Sequence, residues 1–220
     1  MFKGILLDID NTLYRYRPLH EMAQNALFDY IQQYYSFSRT DIESAYSQAK
    51  LQIKQNTPHL ASSHNRLLYA QNLCEIIGLN SLTHSLELYN IYWDCFIENL
   101  TLSQGAQAFF ESHSHIPICL LTDLTAHIQH RKVAKLELQR WASLMVSSEE
   151  AGCEKPHPFM FQLALHKLGM SSNEVCMIGD NYKKDIEGAK RLGIHAFWLT
   201  CEAIDENGVT CIKNLRDIQW

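Results

Sequence analysis

The sequence of 220 residues lacks any apolar stretch close to the roughly 18 residues that a helix needs to span a bilayer. Its N-terminus starts a short apolar run at Phe2 but has no cleavable signal pattern. It also lacks a run of like charges, since 19 Lys and Arg stand against 24 Asp and Glu, giving a net charge of −5. Binding to a membrane, or to nucleic acid through phosphate contacts, is therefore not expected. We expect a cytoplasmic protein instead.

The cysteines lack the CxxC spacing and the Cys/His pairs that are typical of zinc sites. They are odd in number and scattered along the chain, at Cys74, Cys95, Cys119, Cys153, Cys176, Cys201 and Cys211. Such a set favours free thiols in a reducing compartment over a disulfide framework.

Glycine is scarce in the first half of the chain, where Gly78 is the only one between Gly4 and Gly105. Because sharp turns and close helix–sheet contacts use glycine, this tract is predicted to be mostly helical. Apolar residues recur at helical spacing in four successive segments between residues 14 and 104. Four amphipathic helices can bury their apolar faces on one another, so the tract is predicted to form a helical bundle.

After residue 105 the pattern changes to short apolar runs that alternate with helical segments. The predicted strands cover residues 5–7, 116–121, 144–146, 175–178 and 196–199, and the predicted helices lie near 106–113, 125–139, 158–168 and 184–192. This alternation predicts an α/β fold with a doubly wound, Rossmann-like parallel sheet. Residues 1–13 and 105–220 would form this core, and residues 14–104 an inserted all-helical domain.

Polar residues follow the predicted strands at the point where each strand ends. Open parallel sheets bind their ligands at the carboxyl ends of the strands, so these side chains are expected to meet at one edge. They are Asp8, Asp10 and Thr12 after the first strand, Thr122 and Asp123 after the second, Lys155 after the third, and Asp180, Asn181 and Asp185 after the fourth.

These segments resemble, in order and in context, the four motifs of the haloacid dehalogenase-like (HAD) hydrolase superfamily. The matching residues are Asp8-x-Asp10-x-Thr12, then Thr122, then Lys155 before Pro156, and finally Gly179-Asp180 with Asp185. A single Asp-x-Asp-x-Thr match is weak evidence, but four motifs in order on the right strand ends are not coincidental. The resemblance covers nearly the whole chain if the helical insertion corresponds to the family's helical cap.

The resemblance implies a role for each matching residue. Asp8 would be the nucleophile that forms an aspartyl-phosphate, and Asp10 would give a proton to the leaving oxygen and then take one from water. Thr122 and Lys155 would hold the phosphoryl oxygens. Mg²⁺ would be bound by Asp8, Asp180 and the backbone carbonyl of Asp10. Asp185 and Asn181 would support those ligands, with direct ligation by Asp185 as an alternative.

A charge estimate explains why a metal is expected. Two like charges 4 Å apart repel by roughly 4 kcal/mol at an effective dielectric constant of about 20, and here four carboxylates would face a phosphate dianion. One lysine does not offset that repulsion. A divalent ion that prefers oxygen ligands does, and Mg²⁺ is such an ion.

Three further residues are candidates for substrate binding. Asp123 follows Thr122, with the alternative that Asp123 or Thr125 caps the next helix. Arg15 and Arg17 lie directly after the first motif, and arginine suits bidentate contact with phosphate or carboxylate. The alternative is that both arginines are hinge residues that face solvent.

Asp10 distinguishes between the reactions of the family, because dehalogenating members lack this second acid. The sequence therefore predicts an Mg²⁺-dependent phosphatase that hydrolyses a small phosphorylated metabolite, such as a sugar phosphate or a nucleotide. The alternatives are a sugar phosphomutase of the same fold and a non-catalytic protein that binds phosphate. A monomer or a homodimer is expected.

Overall fold

The computed structural model describes residues 2–200 and 207–219, so Cys201 lies outside the described residues. The chain forms two compact units. The α/β unit comprises Met1–Arg15 and Thr101–Trp220, and the helical unit comprises Tyr16–Leu100. Residues 14–15 and 101–104, which the sequence assigns to the helical insertion, thus fall in the α/β unit, because the Tyr14 hydroxyl binds Asp10 and the Ser103 amide donates to the Leu13 carbonyl.

The helical unit contains four long helices, which are α1 (Tyr16–Tyr35), α2 (Arg39–Asn56), α3 (Arg66–Ile76) and α4 (Ser81–Glu98). The side chains of Ser38, Asn65 and Asn80 cap the last three by accepting from the first free amides. The helical spacing of Leu82, Leu86, Tyr89, Trp93 and Phe96 in the sequence predicts the apolar face of α4. This prediction is partly wrong, since Leu82 is 96% and Leu86 60% exposed. The buried face instead includes Leu88, Tyr92, Trp93 and Phe96, which follow the helical repeat.

The α/β unit is built on a six-stranded parallel sheet, which confirms the predicted fold class. Its strands are β1 (Gly4–Leu7), β2 (Ile118–Thr122), β3 (Leu144–Ser147), β4 (Val175–Gly179), β5 (His195–Leu199) and β6 (Val209–Ile212). They lie in the order β3-β2-β1-β4-β5-β6. The order in which the chain adds strands to the sheet reverses between β1 and β4, and ligand sites of doubly wound folds lie at such a point. β1, β2 and β4 are buried at every residue, as their continuous apolar runs predict.

The edge strand β6 was not predicted from the sequence. Its four residues include Thr210 and Cys211, and only Ile212 among them is buried. A short, half-exposed edge strand has no continuous apolar run, so its sequence signal is weak.

The helices of the α/β unit are α5 (Gln104–Ser112), α6 (Ala126–Lys135), α7 (Ser148–Ala151), α8 (Pro158–Leu168) and α9 (Glu187–Lys190). The helix predicted over 125–139 ends early, because Glu137 adopts a left-handed conformation with φ of 53°. The helix predicted over 184–192 is a single π-helical segment, Tyr182–Ile186, followed by the short α9. This π segment carries Asp185, so the irregularity lies next to the acidic edge of the sheet.

No helix among the described residues combines the length and the apolar character that crossing a membrane requires.

Gly179, the last residue of β4, provides a test of the packing at this edge. A Cβ atom there would lie 2.3 Å from Oδ2 of Asp185 and 2.5 Å from its Cγ. We therefore expect Gly179→Ala to displace Asp185 and to lower the free energy of unfolding by roughly 1–3 kcal/mol. Urea denaturation of the purified protein measures this loss.

Gly152→Ala is the matched control, because a Cβ at Gly152 meets no atom within 4 Å although its φ is +68°. Its expected loss is only the strain of a side chain at positive φ, about 1 kcal/mol. Wild-type stability of the Gly179→Ala protein would contradict the close approach of Asp185.

Candidate active site

A buried lysine lies at the centre of the carboxyl edge of the sheet. Nζ of Lys155 donates to Oδ1 of Asp8 at 2.7 Å, to Oδ1 of Asp185 at 2.7 Å and to the Leu121 carbonyl at 2.9 Å. The side chains of Lys155, Asp8 and Asp185 are almost inaccessible to solvent. Burial acts to lower the pKa of Lys155, but the charges of Asp185 and Asp8 raise it well above its usual range. Lys155 is therefore the cation that holds the ends of β1 and β4 together.

Asp8 follows β1, and both of its carboxylate oxygens have protein partners. Oδ1 accepts from Lys155, and Oδ2 accepts from the Thr12 hydroxyl at 2.9 Å. Its backbone amide donates to the Ile178 carbonyl of β4 at 3.0 Å, which fixes the position of the side chain. Burial raises the pKa of Asp8 to about 7. The charge of Lys155 acts to lower this pKa, and the charge of Asp185 acts to raise it.

Asp180 directly follows the last residue of β4. Its Oδ2 accepts from Nδ2 of Asn11 at 2.7 Å, and its carbonyl accepts from the Trp198 indole at 2.9 Å. Asn11 reaches it from a left-handed backbone conformation, with φ of 68°. Burial, followed by the charge of Asp8, raises the pKa of Asp180. A cation at this point would relieve that repulsion.

Asp8, Asp180 and Asp185 together form a candidate metal site. Each offers a carboxylate oxygen, and these oxygens lie within 4.8 Å of one another. An all-oxygen set suits a hard cation such as Mg²⁺ better than zinc. The oxygens of Asp185 are already engaged, one by Lys155 and the other by the Asn181 amide at 3.0 Å. Asn181 also accepts from the Lys184 amide at 3.0 Å and so caps the π-helical segment.

Asp10 has surroundings unlike those of Asp8, two residues away. Its carboxylate accepts from Nζ of Lys132, from Nε2 of Gln129 at 3.0 Å and from the Tyr14 hydroxyl. Burial acts to raise the pKa of Asp10, but the charge and the hydrogen bond of Lys132 hold it below its usual range, with help from Tyr14 and Gln129. The pKa values of these two neighbouring carboxyl groups are thus shifted in opposite directions, as is expected of groups with different roles.

Thr122 and Asp123 end β2 beside Lys155. The buried Thr122 hydroxyl accepts from Gln129 at 2.8 Å and donates to the Asp123 carbonyl at 3.2 Å. The Asp123 carboxylate accepts from the Lys155 amide at 3.0 Å and from Nζ of Lys184 at 2.7 Å. Asp123 therefore fixes the backbone of the central lysine.

Of the two residues that the alternative offers as the cap of α6, Thr125 is the N-cap residue and Asp123 is not. Thr125 has the extended backbone of an N-cap residue but makes no side-chain cap bond. The first amide of the helix, that of Ala126, donates instead to Oε2 of Glu149 at 2.7 Å. A carboxylate from α7 thus takes the place of the expected cap.

The two arginines after the first motif, Arg15 and Arg17, are both exposed. Arg15 belongs to the α/β unit. Arg17 belongs to α1 of the helical unit, and its side chain is 87% exposed and pairs with Glu21 at 2.7 Å. This exposure fits the alternative of solvent-facing residues, and their role in substrate binding stays a prediction.

Sequence reasoning missed Gln129, Lys132, Tyr14 and Lys184, which contact the expected site residues. Gln129 and Lys132 are three residues apart on α6, and so they lie on one face of that helix. Lys132 is fully buried, which is rare for lysine unless it is paired. The signal in the sequence was this polar pair at i, i+3 spacing on the helix that follows the second motif.

The doubly wound parallel sheet and its acidic carboxyl edge define an α/β class of protein in which a carboxylate follows the first strand. A family model described as haloacid dehalogenase-like hydrolase matches residues 2–193. The chain belongs to this family of hydrolases, as the four motifs predict, and the prediction of a hydrolytic enzyme is confirmed.

The curated relatives with long matches are phosphatases. The chain is 32% identical to a ribulose-1,5-bisphosphate 5-phosphatase of Halopiger xanaduensis over 88% of its own length and 83% of the relative's. It is 27% identical to a glyceraldehyde 3-phosphate phosphatase of Pyrococcus abyssi over 90% of its own length and 81% of the relative's.

Solved structures share the fold. A HAD hydrolase of Bacillus subtilis, crystallised with magnesium bound, has a TM-score of 0.74 and 18% identity, and the match covers 98% of this chain and 96% of that one. A HAD phosphatase of Thermococcus onnurineus also has a TM-score of 0.74, with 19% identity over 98% and 95% of the two chains.

The resemblance implies that Asp8 binds Mg²⁺, and its raised pKa then predicts how that binding depends on pH. A carboxyl group must be ionised to bind the metal, and the pKa of Asp8 is raised to about 7, so protons compete with the metal below that pH. We expect the affinity to fall about tenfold from pH 8 to pH 6. Isothermal titration calorimetry with MgCl₂ measures it. The Asp8→Asn variant should bind Mg²⁺ more weakly and lose this dependence on pH. A wild-type affinity for Mg²⁺ that does not change with pH would disprove the assignment of Asp8 as a metal ligand.

The contact between Lys132 and Asp10 predicts a second effect. The resemblance implies that Asp10 transfers protons. Lys132→Met removes the cation that binds the Asp10 carboxylate, so this transfer should become slower. We expect kcat on an aryl phosphate to fall about 10- to 100-fold, with a much smaller change in KM. Lys135→Met, at an exposed position one turn later, is the control. Equal kcat values in the two variants would show that Lys132 has no part in the reaction.

Proposed function

We propose that this protein is an Mg²⁺-dependent phosphatase that hydrolyses a small phosphorylated metabolite through an aspartyl-phosphate on Asp8. The observation that carries the proposal is the buried contact of Lys155 with Asp8 and Asp185, next to a carboxylate oxygen of Asp180. The proposal is supported because a carboxylate, a buried cation and further carboxylate oxygens lie within one small region, as phosphoryl transfer requires. The phosphatase names of the long-matching relatives support it.

In the first step a carboxylate oxygen of Asp8 forms a bond to phosphorus while the ester P–O bond breaks, and the leaving oxygen takes a proton. In the second step water attacks phosphorus, releases inorganic phosphate and returns Asp8 as a carboxylate. Lys155 neutralises charge on Asp8 and on the transferring group throughout, and Thr12 and the amide of Asp8 keep the nucleophile in place. Thr122 is proposed to contact the phosphoryl oxygens together with Lys155.

Asp10 is proposed to move the protons in both steps. It gives one to the leaving oxygen and recovers one from the attacking water. The lowered pKa of Asp10, held down by Lys132 against the effect of burial, keeps the free carboxyl group ionised, which is the form that accepts a proton in the second step. Gln129 and Tyr14 fix the orientation of the carboxylate for either transfer.

Asp8, Asp180 and the backbone carbonyl of Asp10 are proposed to hold Mg²⁺, with Asp185 and Asn181 as their support. When bound, the metal neutralises phosphoryl charge that Lys155 alone does not offset. Both oxygens of Asp185 have protein partners, whereas Asp180 is bound by Asn11 at a single oxygen, and this difference supports the division of roles.

A sugar phosphate is the substrate class that the comparisons favour over a nucleotide. The long-matching relatives are named for ribulose-1,5-bisphosphate and glyceraldehyde 3-phosphate, which are both sugar phosphates. The helical unit is proposed to be the cap of the family. In the part of the chain that the structure describes, six cysteines are free and three of these are buried, which supports a place in the reducing cytoplasm.

Phosphate release from a panel of monoesters tests the function. The panel contains ribulose 1,5-bisphosphate, glyceraldehyde 3-phosphate, a nucleoside monophosphate and an aryl phosphate, each with MgCl₂ or with EDTA. We expect release in MgCl₂ to be highest for a sugar phosphate, and to fall at least about a thousandfold in Asp8→Asn because the nucleophile is lost.

Asp217→Asn, at an exposed position of the same unit, is the control and should keep wild-type activity. Full activity of Asp8→Asn would refute the mechanism. Turnover that needs a bisphosphate activator and releases little phosphate would indicate a phosphomutase instead. No turnover of any ester by the wild-type protein would indicate a non-catalytic member of the family.

A further inference from the structure

A second site goes beyond the phosphatase function and lies within the helical unit. Arg66 is the first residue of α3 and is only 8% exposed. Its Nη1 donates to the His64 carbonyl and its Nη2 to the Tyr16 hydroxyl, each at 2.7 Å. Its Nε is buried and has no hydrogen-bond partner within the part of the chain that the structure describes. The guanidinium thus has an unused donor on its side.

The charge of Arg66 is not balanced by an acid. Within residues 2–200 and 207–219, no Asp or Glu carboxylate lies within 4.0 Å of its guanidinium. The charge lies instead over aromatic rings, 5.0 Å from the Tyr69 centroid, 5.4 Å from Tyr92 and 6.0 Å from Trp93. Cation–π contacts recover part of the cost of desolvating the cation, but a buried charge is normally paired with an ion of opposite sign.

Two basic groups nearby have lowered pKa values, to which burial and the positive charge of Arg66 both contribute. Burial, then the charges of Arg66 and Lys50, lower the pKa of His20 to about 4. Burial and the charges of Lys54 and Arg66 lower the pKa of Lys50. In addition, α1 and α3 have no acidic residue in their first turns, where acids usually stabilise a helix.

A second buried donor lies in the same cluster. The hydroxyl of Tyr46 is buried and has no hydrogen-bond partner among the described residues. Its ring packs edge-on against that of Tyr69, with the two centroids 6.1 Å apart, and the Tyr69 ring is the one that lies 5.0 Å from the Arg66 guanidinium. Burial raises the pKa of Tyr46, and the charge of Arg66 acts to lower it. Two unused donors and an unpaired cation are what an oxyanion requires of a protein site.

We propose that Arg66 is the centre of an oxyanion-binding site in the helical unit, completed by Tyr46, Lys50 and His20, which takes the carboxylate or phosphate group of a small metabolite. The Nε edge of the guanidinium and the Tyr46 hydroxyl donate to the anion, and Lys50 adds charge from a half-exposed position. The proposal does not depend on Asp8 chemistry.

Nuclear magnetic resonance of the arginine Nε–H groups tests the site in the full-length protein. The Arg66 signal is assigned by its loss in Arg66→Lys. Inorganic phosphate and acetate are titrated separately in the presence of EDTA, so that the two arms distinguish the two kinds of anion. We expect a saturable shift of the Arg66 signal with at least one of them, and the same shift in Asp8→Asn, which lacks phosphatase activity.

Lys50→Met and Lys54→Met form the matched pair, since Lys54 lies one turn further along α2 at an exposed position. Lys50→Met should weaken the binding about two- to fivefold, and Lys54→Met should leave it unchanged. If neither anion shifts the Arg66 signal saturably, Arg66 is a structural cation held by aromatic rings, and the proposal fails. Equal weakening in both variants would indicate diffuse attraction without a site and would also overturn it.

Discussion

The contact of Lys155 with Asp8 and Asp185 is the interaction on which the carboxyl edge of the sheet depends. Removing three charged groups from water is costly unless each has a close partner of opposite sign, and the three almost inaccessible side chains satisfy one another at 2.7 Å. The surrounding sequence serves this contact. Asp123 holds the Lys155 amide, and the absence of a side chain at Gly179 leaves room for Asp185.

A second lysine gives the site its asymmetry. Asp8 and Asp10 are separated by one residue, yet one has Lys155 as its cation and the other has Lys132. Lys155 is shared between two carboxylates, so it does not prevent burial from raising the pKa of Asp8, whereas Lys132 and two neutral donors lower the pKa of Asp10. This difference supports the proposed roles, in which Asp8 takes a phosphoryl group and Asp10 a proton.

The sequence predicted those parts of the fold that have strong local signals. Buried strands such as β1 and β4 are continuous apolar runs, and the residues that follow them are the site residues, so their convergence followed from the parallel topology. The half-exposed β6 and the left-handed Glu137 that ends α6 lack such signals. Lys132 was missed because its contact with Asp10 joins residues far apart in the chain, and only the tertiary structure brings them together.

The hydrogen bonds of Asp123 have a consequence for the evolution of this chain. One carboxylate oxygen binds the amide of Lys155, which follows β3, and the other binds Lys184, which belongs to the segment after β4 and also reaches Glu154. The loops after three strands are therefore mechanically coupled through one side chain. Substitutions in any of them should be epistatic, so that these loops diverge together while the exposed faces of the helices vary independently.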